Sequence, residues 1–139
     1  MLGLTFGAGP PGDSSPPEYT VTGQIVPPVN DGGYSLITLD GYKSGEVRDL
    51  SVINNNATWT PNACPTGSST LHMVVVSTTN SAGCIPGDSG GPMYQHESSN
   101  FNYVDAVGDI DESEGSTSCW GEQIGYETTD SNTRLMIAP

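Results

Sequence analysis

No stretch of this sequence keeps a helical period. Short runs rich in Val, Ile, Leu and Tyr are cut by clusters of Gly, Pro, Asn and Asp. The breaks fall at Pro27-Pro28, Asn30-Asp31-Gly32-Gly33, Asp40-Gly41 and Asn54-Asn55-Asn56, then across 61–69 and 83–90. Such punctuation leaves segments of strand length. We read strands over 19–26, 34–39, 46–53, 71–78, 91–94, 103–110, 123–127 and 135–138, and almost no helix. Alternation shows in Val47, Leu50, Val52 and again in Val104, Ala106, Val107. No internal repeat is present. Short strands at regular spacing with Gly/Pro turns imply an all-β barrel or sandwich. Residues 1–17 carry Gly7, Gly9, Pro10, Pro11, Gly12, Pro16 and Pro17, which makes them an arm or linker, with the β-domain over 18–139.

Charge narrows the partners. The 139 residues, one domain's worth, hold 3 Lys+Arg against 16 Asp+Glu, a formal net charge of −13. Nothing here neutralises a row of phosphates or an anionic membrane surface. The longest aliphatic or Met run, Met73 to Val76, is far short of the ~20 apolar residues a membrane helix needs. The three cysteines, Cys64, Cys84 and Cys119, are odd in number, so at least one lacks a partner within the chain. Few Lys, many Ser/Thr/Asn/Gly and the sequon Asn56-Ala57-Thr58 point to a secreted protein with Asn56 as a glycosylation acceptor. The first residues lack the basic and apolar regions of a signal peptide, so we expect a trimmed chain, a processed product or an incomplete gene model.

The densest chemistry lies in Gly83-Cys84-Ile85-Pro86-Gly87-Asp88-Ser89-Gly90-Gly91-Pro92. Gly87, Gly90 and Gly91 permit backbone conformations closed to other residues. A tight turn there can aim successive N–H groups at one spot, which is what a developing oxyanion requires. Ser89 sits in the middle, its hydroxyl placed as a nucleophile. Asp88 is placed to hold the loop through a buried ion pair. The competing reading is a Gly-rich β-turn in an unrelated β-protein.

The stretch Gly87 to Pro92 resembles the nucleophile loop of chymotrypsin-like serine proteases, whose Gly-Asp-Ser-Gly-Gly-Pro signature it matches at all six letters. The style is closest to bacterial streptogrisin-type members, which Ser44-Gly45-Glu46-Val47 and Val52-Ile53-Asn54 also resemble. Ala106-Val107-Gly108 resembles the strand that runs past bound substrate. The resemblance covers roughly residue 19 to the C-terminus. It implies a single six-stranded antiparallel barrel, like the second barrel of that fold. It implies Ser89 as nucleophile, the N–H groups of Gly87 and Ser89 as oxyanion hole, and Asp88 as the residue that orders the hole by pairing with a buried cation. It further implies a Cys84–Cys119 disulfide. Of the cations, Lys43, Arg48 and Arg134, none sits where the family's arginine would, and a free amino terminus made by cleavage is not evident.

A serine nucleophile needs a base. The family places its His and Asp in the first barrel; His72 and His96 are instead read as structural or surface residues, with a rearranged Ser-His dyad as the alternative. About 120 residues suffice for one barrel, so the expected partner is a complementary His/Asp-bearing chain or segment. Gly83 falls at the pocket floor, without the acid of trypsin-like members, and Gly108, Asp109 and Asp111 fall on the substrate-binding strand. Asp109-x-Asp111-x-Ser113 starts like a calcium loop and then fails at Glu114 and Trp120. No zinc spacing exists, so no metal or cofactor is expected. Trp59 and Trp120 are core or pocket-rim residues. The sequence thus suggests the Ser-bearing half of a secreted serine endopeptidase acting on peptides or proteins. The alternatives are an inactive protease-like barrel used for binding, or a self-assembling subunit of an extracellular structure.

Overall fold

The computed structural model describes residues 4–6 (backbone only), 18–29, 36–60 and 70–125. Eight strands run in chain order: β1 Leu4–Phe6, β2 Glu18–Gln24, β3 Leu36–Gly41, β4 Gly45–Trp59, β5 Leu71–Ser77, β6 Pro92–His96, β7 Tyr103–Glu114 and β8 Ser118–Gln123. Six of them close a ring in the order β7-β6-β3-β4-β5-β8, with β8 pairing back onto β7. Every pairing in the ring is antiparallel. The fold is the expected all-β, six-stranded antiparallel barrel. Outside the ring, β2 runs parallel to the first part of β7, and β1 pairs antiparallel with β2.

Closure of the ring removes sheet edges, and its interior is filled by side chains. Ile37, Leu39, Val52, Val74, Val76, Met93, Val107 and Ile110 form the central cluster with the two disulfide cysteines. The unbroken Met73 to Val76 run is explained by burial on both faces of β5. Val74 and Val76 point to this core, whereas Met73 and Val75 pack with Ala57 under Trp59, Leu71 and Trp120. A third cluster joins Tyr19 and Val21 of β2 to Tyr94 and Val104, so the appended strand shares apolar surface with the barrel.

Strand bounds differ from the sequence reading where polar residues continue a ladder. β4 runs through the Asn54-Asn55-Asn56 break. Two register irregularities absorb the run, and its polar groups find partners: the Asn55 side chain donates to Pro27 O at 2.8 Å, and Asn56 N–H donates to Asn54 Oδ1 at 2.9 Å. β7 continues past Ile110 across acidic residues that remain partly solvated. β8 was not expected before residue 123. It carries little apolar signal, and it is a strand because β5 and β7 pair with both its edges. After Gln123 the backbone turns helical at 124–125, where a strand to 127 was expected. The strand expected over 135–138, together with Cys64 and most of the 1–17 arm, lies outside the described residues.

Candidate active site

The β5–β6 connection carries the Gly-Asp-Ser-Gly-Gly stretch as consecutive tight turns. Cys84 N–H donates to Ser81 O, Asp88 N–H to Ile85 O and Gly91 N–H to Asp88 O, each at 3.0 Å. Gly87 has φ 106°, in the region that disfavours any side chain. The loop's end is stitched to β7 by Gly90 N–H to Ile110 O at 2.7 Å and Ile110 N–H to Gly91 O at 2.8 Å. Its start is tied to β8 by the Cys84–Cys119 disulfide, the pairing the resemblance implied.

Ser89 is exposed, and its hydroxyl donates to the Asp111 carbonyl at 2.8 Å. Asp111 is the extra residue of a β-bulge: Ile110 pairs with Gly121 and Glu112 with Trp120, leaving Asp111 between them unpaired in the ladder. A bulge bends a strand and re-aims its groups, and here it leaves the Asp111 carbonyl to Ser89. A cleft of about 160 Å³ opens beside the serine, between Cys84, Ile85 and Pro86 on one wall and residues 110–113 on the other. Burial first, then the charges of Asp109 and Glu112, push the Asp111 carboxyl above its ordinary range. Among the described residues, the N–H groups of Gly87 and Ser89 have no protein acceptor.

Asp88 is 1% exposed. Its Oδ1 accepts the N–H groups of Lys43 at 2.7 Å and Ser44 at 2.9 Å. Its Oδ2 accepts the Ser44 hydroxyl at 2.5 Å and Ile85 N–H at 3.0 Å. Burial pushes this carboxyl up. The Ser44 hydroxyl and the amides of Ser44, Lys43 and Ile85 outweigh burial and hold it below the ordinary value. Hydrogen-bond donors thus satisfy the carboxylate. Among the described residues no ammonium or guanidinium pairs with Asp88. Lys43 offers its backbone, while its ammonium lies 5.6 Å from the Tyr42 ring centroid. Arg48 is committed to Glu46 at 2.6 Å, and Arg134 lies outside the described residues.

Neither histidine reaches Ser89. His96, on β6, stacks on Phe101 with ring centroids 3.7 Å apart, and its Nε2 lies 3.7 Å from Glu46 Oε1. Burial lowers its pKa. His72, on β5, pairs across the sheet with Thr58. Gly83 packs against Leu39, and Gly108 and Asp109 sit in the β6–β7–β8 ladder, so only Asp111 of the expected substrate-binding residues lines the cleft. Asn56 is exposed on β4. Among the described residues no cluster of His, Cys, Asp or Glu is arranged to hold a metal ion. The sequence reading missed Ser44; its one signal is Gly41-Tyr42-Lys43-Ser44-Gly45, three residues bracketed by glycines.

The chain matches no family model, no curated protein and no solved structure.

Proposed function

We propose that this barrel is the Ser-bearing half of a secreted chymotrypsin-like serine endopeptidase. Ser89 Oγ attacks the carbonyl carbon of a peptide bond. A histidine supplied by a complementary His/Asp-bearing chain or segment takes its proton and later returns it to the leaving amine. The tetrahedral oxyanion sits against the N–H groups of Gly87 and Ser89, and water then releases the acyl group from Ser89. One observation carries this reading: an exposed serine beside an open cleft, in a loop whose Gly87 and Ser89 N–H groups lack protein acceptors. The disulfide is consistent with an oxidising, extracellular setting.

A second reading is an inactive protease-like barrel used for binding or assembly. It is favoured by the Ser89 hydroxyl being bonded to the Asp111 carbonyl, with no histidine against it. A fluorophosphonate probe separates the two. Labelling at Ser89 in the presence of a co-purifying chain, abolished by Ser89→Ala, supports the enzyme. Absence of labelling with and without that chain leaves the inactive barrel.

A further inference from the structure

The Asp88 carboxylate binds to a hairpin, and the contact between hairpin and loop is close everywhere it is made. A Cβ added at Gly41 would lie 2.3 Å from Asp88 Cβ. One at Gly91 would lie 2.6 Å from Asp40 O and 2.9 Å from Gly41 Cα, and one at Gly87 would lie 2.8 Å from Lys43 Cγ. Gly91 thus lets the 85–91 loop meet the β3 backbone at 40–41, while Gly41 makes room for the Asp88 side chain and Gly87 for that of Lys43. At the centre of the contact, two successive N–H groups, Lys43 and Ser44, converge on one carboxylate oxygen. Successive amides of this kind form an anion-binding concavity. The Ser44 hydroxyl takes the other oxygen together with Ile85 N–H.

We propose that the β3–β4 turn is the clamp that sets the nucleophile loop, with Ser44 as its positioning residue, in place of a buried cation or a cleaved amino terminus. The proposal deepens the protease reading and rests on it for the loop's role. Its consequence is regulatory. The loop is ordered within this barrel, so cleavage elsewhere in the chain is not needed to form it. Activity is then gated by supply of the base, not by maturation of the oxyanion loop. The charged groups on the packed segments are Lys43 in the turn, Asp40 on β3 and Asp111 through Ser89; all three are kept in the variants below.

The test is NMR on the full chain, comparing the natural protein with Ser44→Ala, Ser44→Thr and Asp88→Asn. Backbone resonances of Lys43, Ser44 and Ile85, whose amides bond Asp88 directly, are followed as pH is lowered. In the natural protein they stay fixed through the ordinary carboxylate range and move only below it. In Ser44→Ala the midpoint rises, and amide exchange at Lys43 and Ile85 speeds by roughly tenfold or more, the equivalent of one lost charge-assisted hydrogen bond. Ser44→Thr restores both. A purely space-filling Ser44 moves neither midpoint nor exchange on truncation, and that result overturns the clamp. If Asp88→Asn does not fold, the two Ser44 variants alone decide. Fluorophosphonate labelling reads the other claim separately. A shifted midpoint with unlabelled Ser89 keeps the clamp and removes the nucleophile reading. An unmoved midpoint with labelled Ser89 does the reverse.

Discussion

A buried carboxylate survives only if donors replace its lost water. Asp88 has four donors, three of them backbone amides that only a proline substitution could remove. Asp88→Ala strips the acceptor and leaves those donors facing a void. At about 1–3 kcal/mol per unsatisfied buried group, this single change threatens the fold, and urea denaturation reads the loss. Gly41→Ala attacks the same contact from the hairpin side. Its new Cβ, 2.3 Å from Asp88 Cβ, collides with the buried Asp88 side chain. We expect about 1–3 kcal/mol of destabilisation, typical of overpacking, together with a disturbed 85–91 loop. The motif residues Gly87, Asp88 and Ser89 were readable from sequence because they form one contiguous stretch. Ser44 was not, because it lies 44 positions away and only the fold brings it to Asp88.

At the level of elements, β7 does most to build the site. Its 12 residues pair with β2 in the first part and with β8 in the second. Its two irregularities fall at Val107, which the core needs, and at Asp111, whose carbonyl Ser89 uses. The disulfide then locks the start of the β5–β6 connection to β8 across a separation of 35 residues. In the chain-entropy picture such a cross-link contributes about 4 kcal/mol. Replacing both cysteines, Cys84→Ala with Cys119→Ala, should lower unfolding stability by up to that amount in denaturant titrations. β8 itself shows why strands with weak apolar patterns escape sequence reading. Gly121 looks like a turn residue, yet a Cβ there would lie 2.0 Å from Met93 Sδ and 2.3 Å from Asp109 O. The glycine marks close packing inside a ladder, and nothing in its immediate sequence distinguishes that from a turn.

Across the whole molecule, charge sets the response to pH and salt. The net −13 is self-repelling. Asp111 and Asp105 are held above the ordinary carboxylate range, each first by burial and then by neighbouring acids. Such groups bind protons more readily folded than unfolded, so the fold gains stability as they protonate on the way down from neutrality. Asp88 and Glu46 are held below that range. In both, burial works the other way and is outweighed: by the amides and hydroxyl around Asp88, and by Arg48 and Tyr19 around Glu46. Their contribution is complete above the unfolded value and is lost as pH falls through the folded one. The melting temperature should therefore rise from pH 7 toward the upper edge of the carboxylate range and fall steeply below it. Added salt at pH 7 should raise it as well, by screening. A melting temperature that falls steadily from pH 7 downward would contradict this balance of groups.

The sequence by itself determined what local chemistry can determine. Gly, Pro and Asn punctuation without helical period made the chain all-β. The Gly87 to Pro92 stretch located the exposed serine, and the acid excess set the charge. The tertiary structure decided what depends on distant segments meeting. It closed the ring through β7 and β8, made a strand of Ser118–Gln123, withheld both histidines from Ser89, and gave Asp88 a hairpin's amides. The physical reason is that backbone N–H groups are the same in every residue. A site built from side chains leaves letters in the sequence, while a site built from main-chain donors leaves only the glycines that let the chains approach.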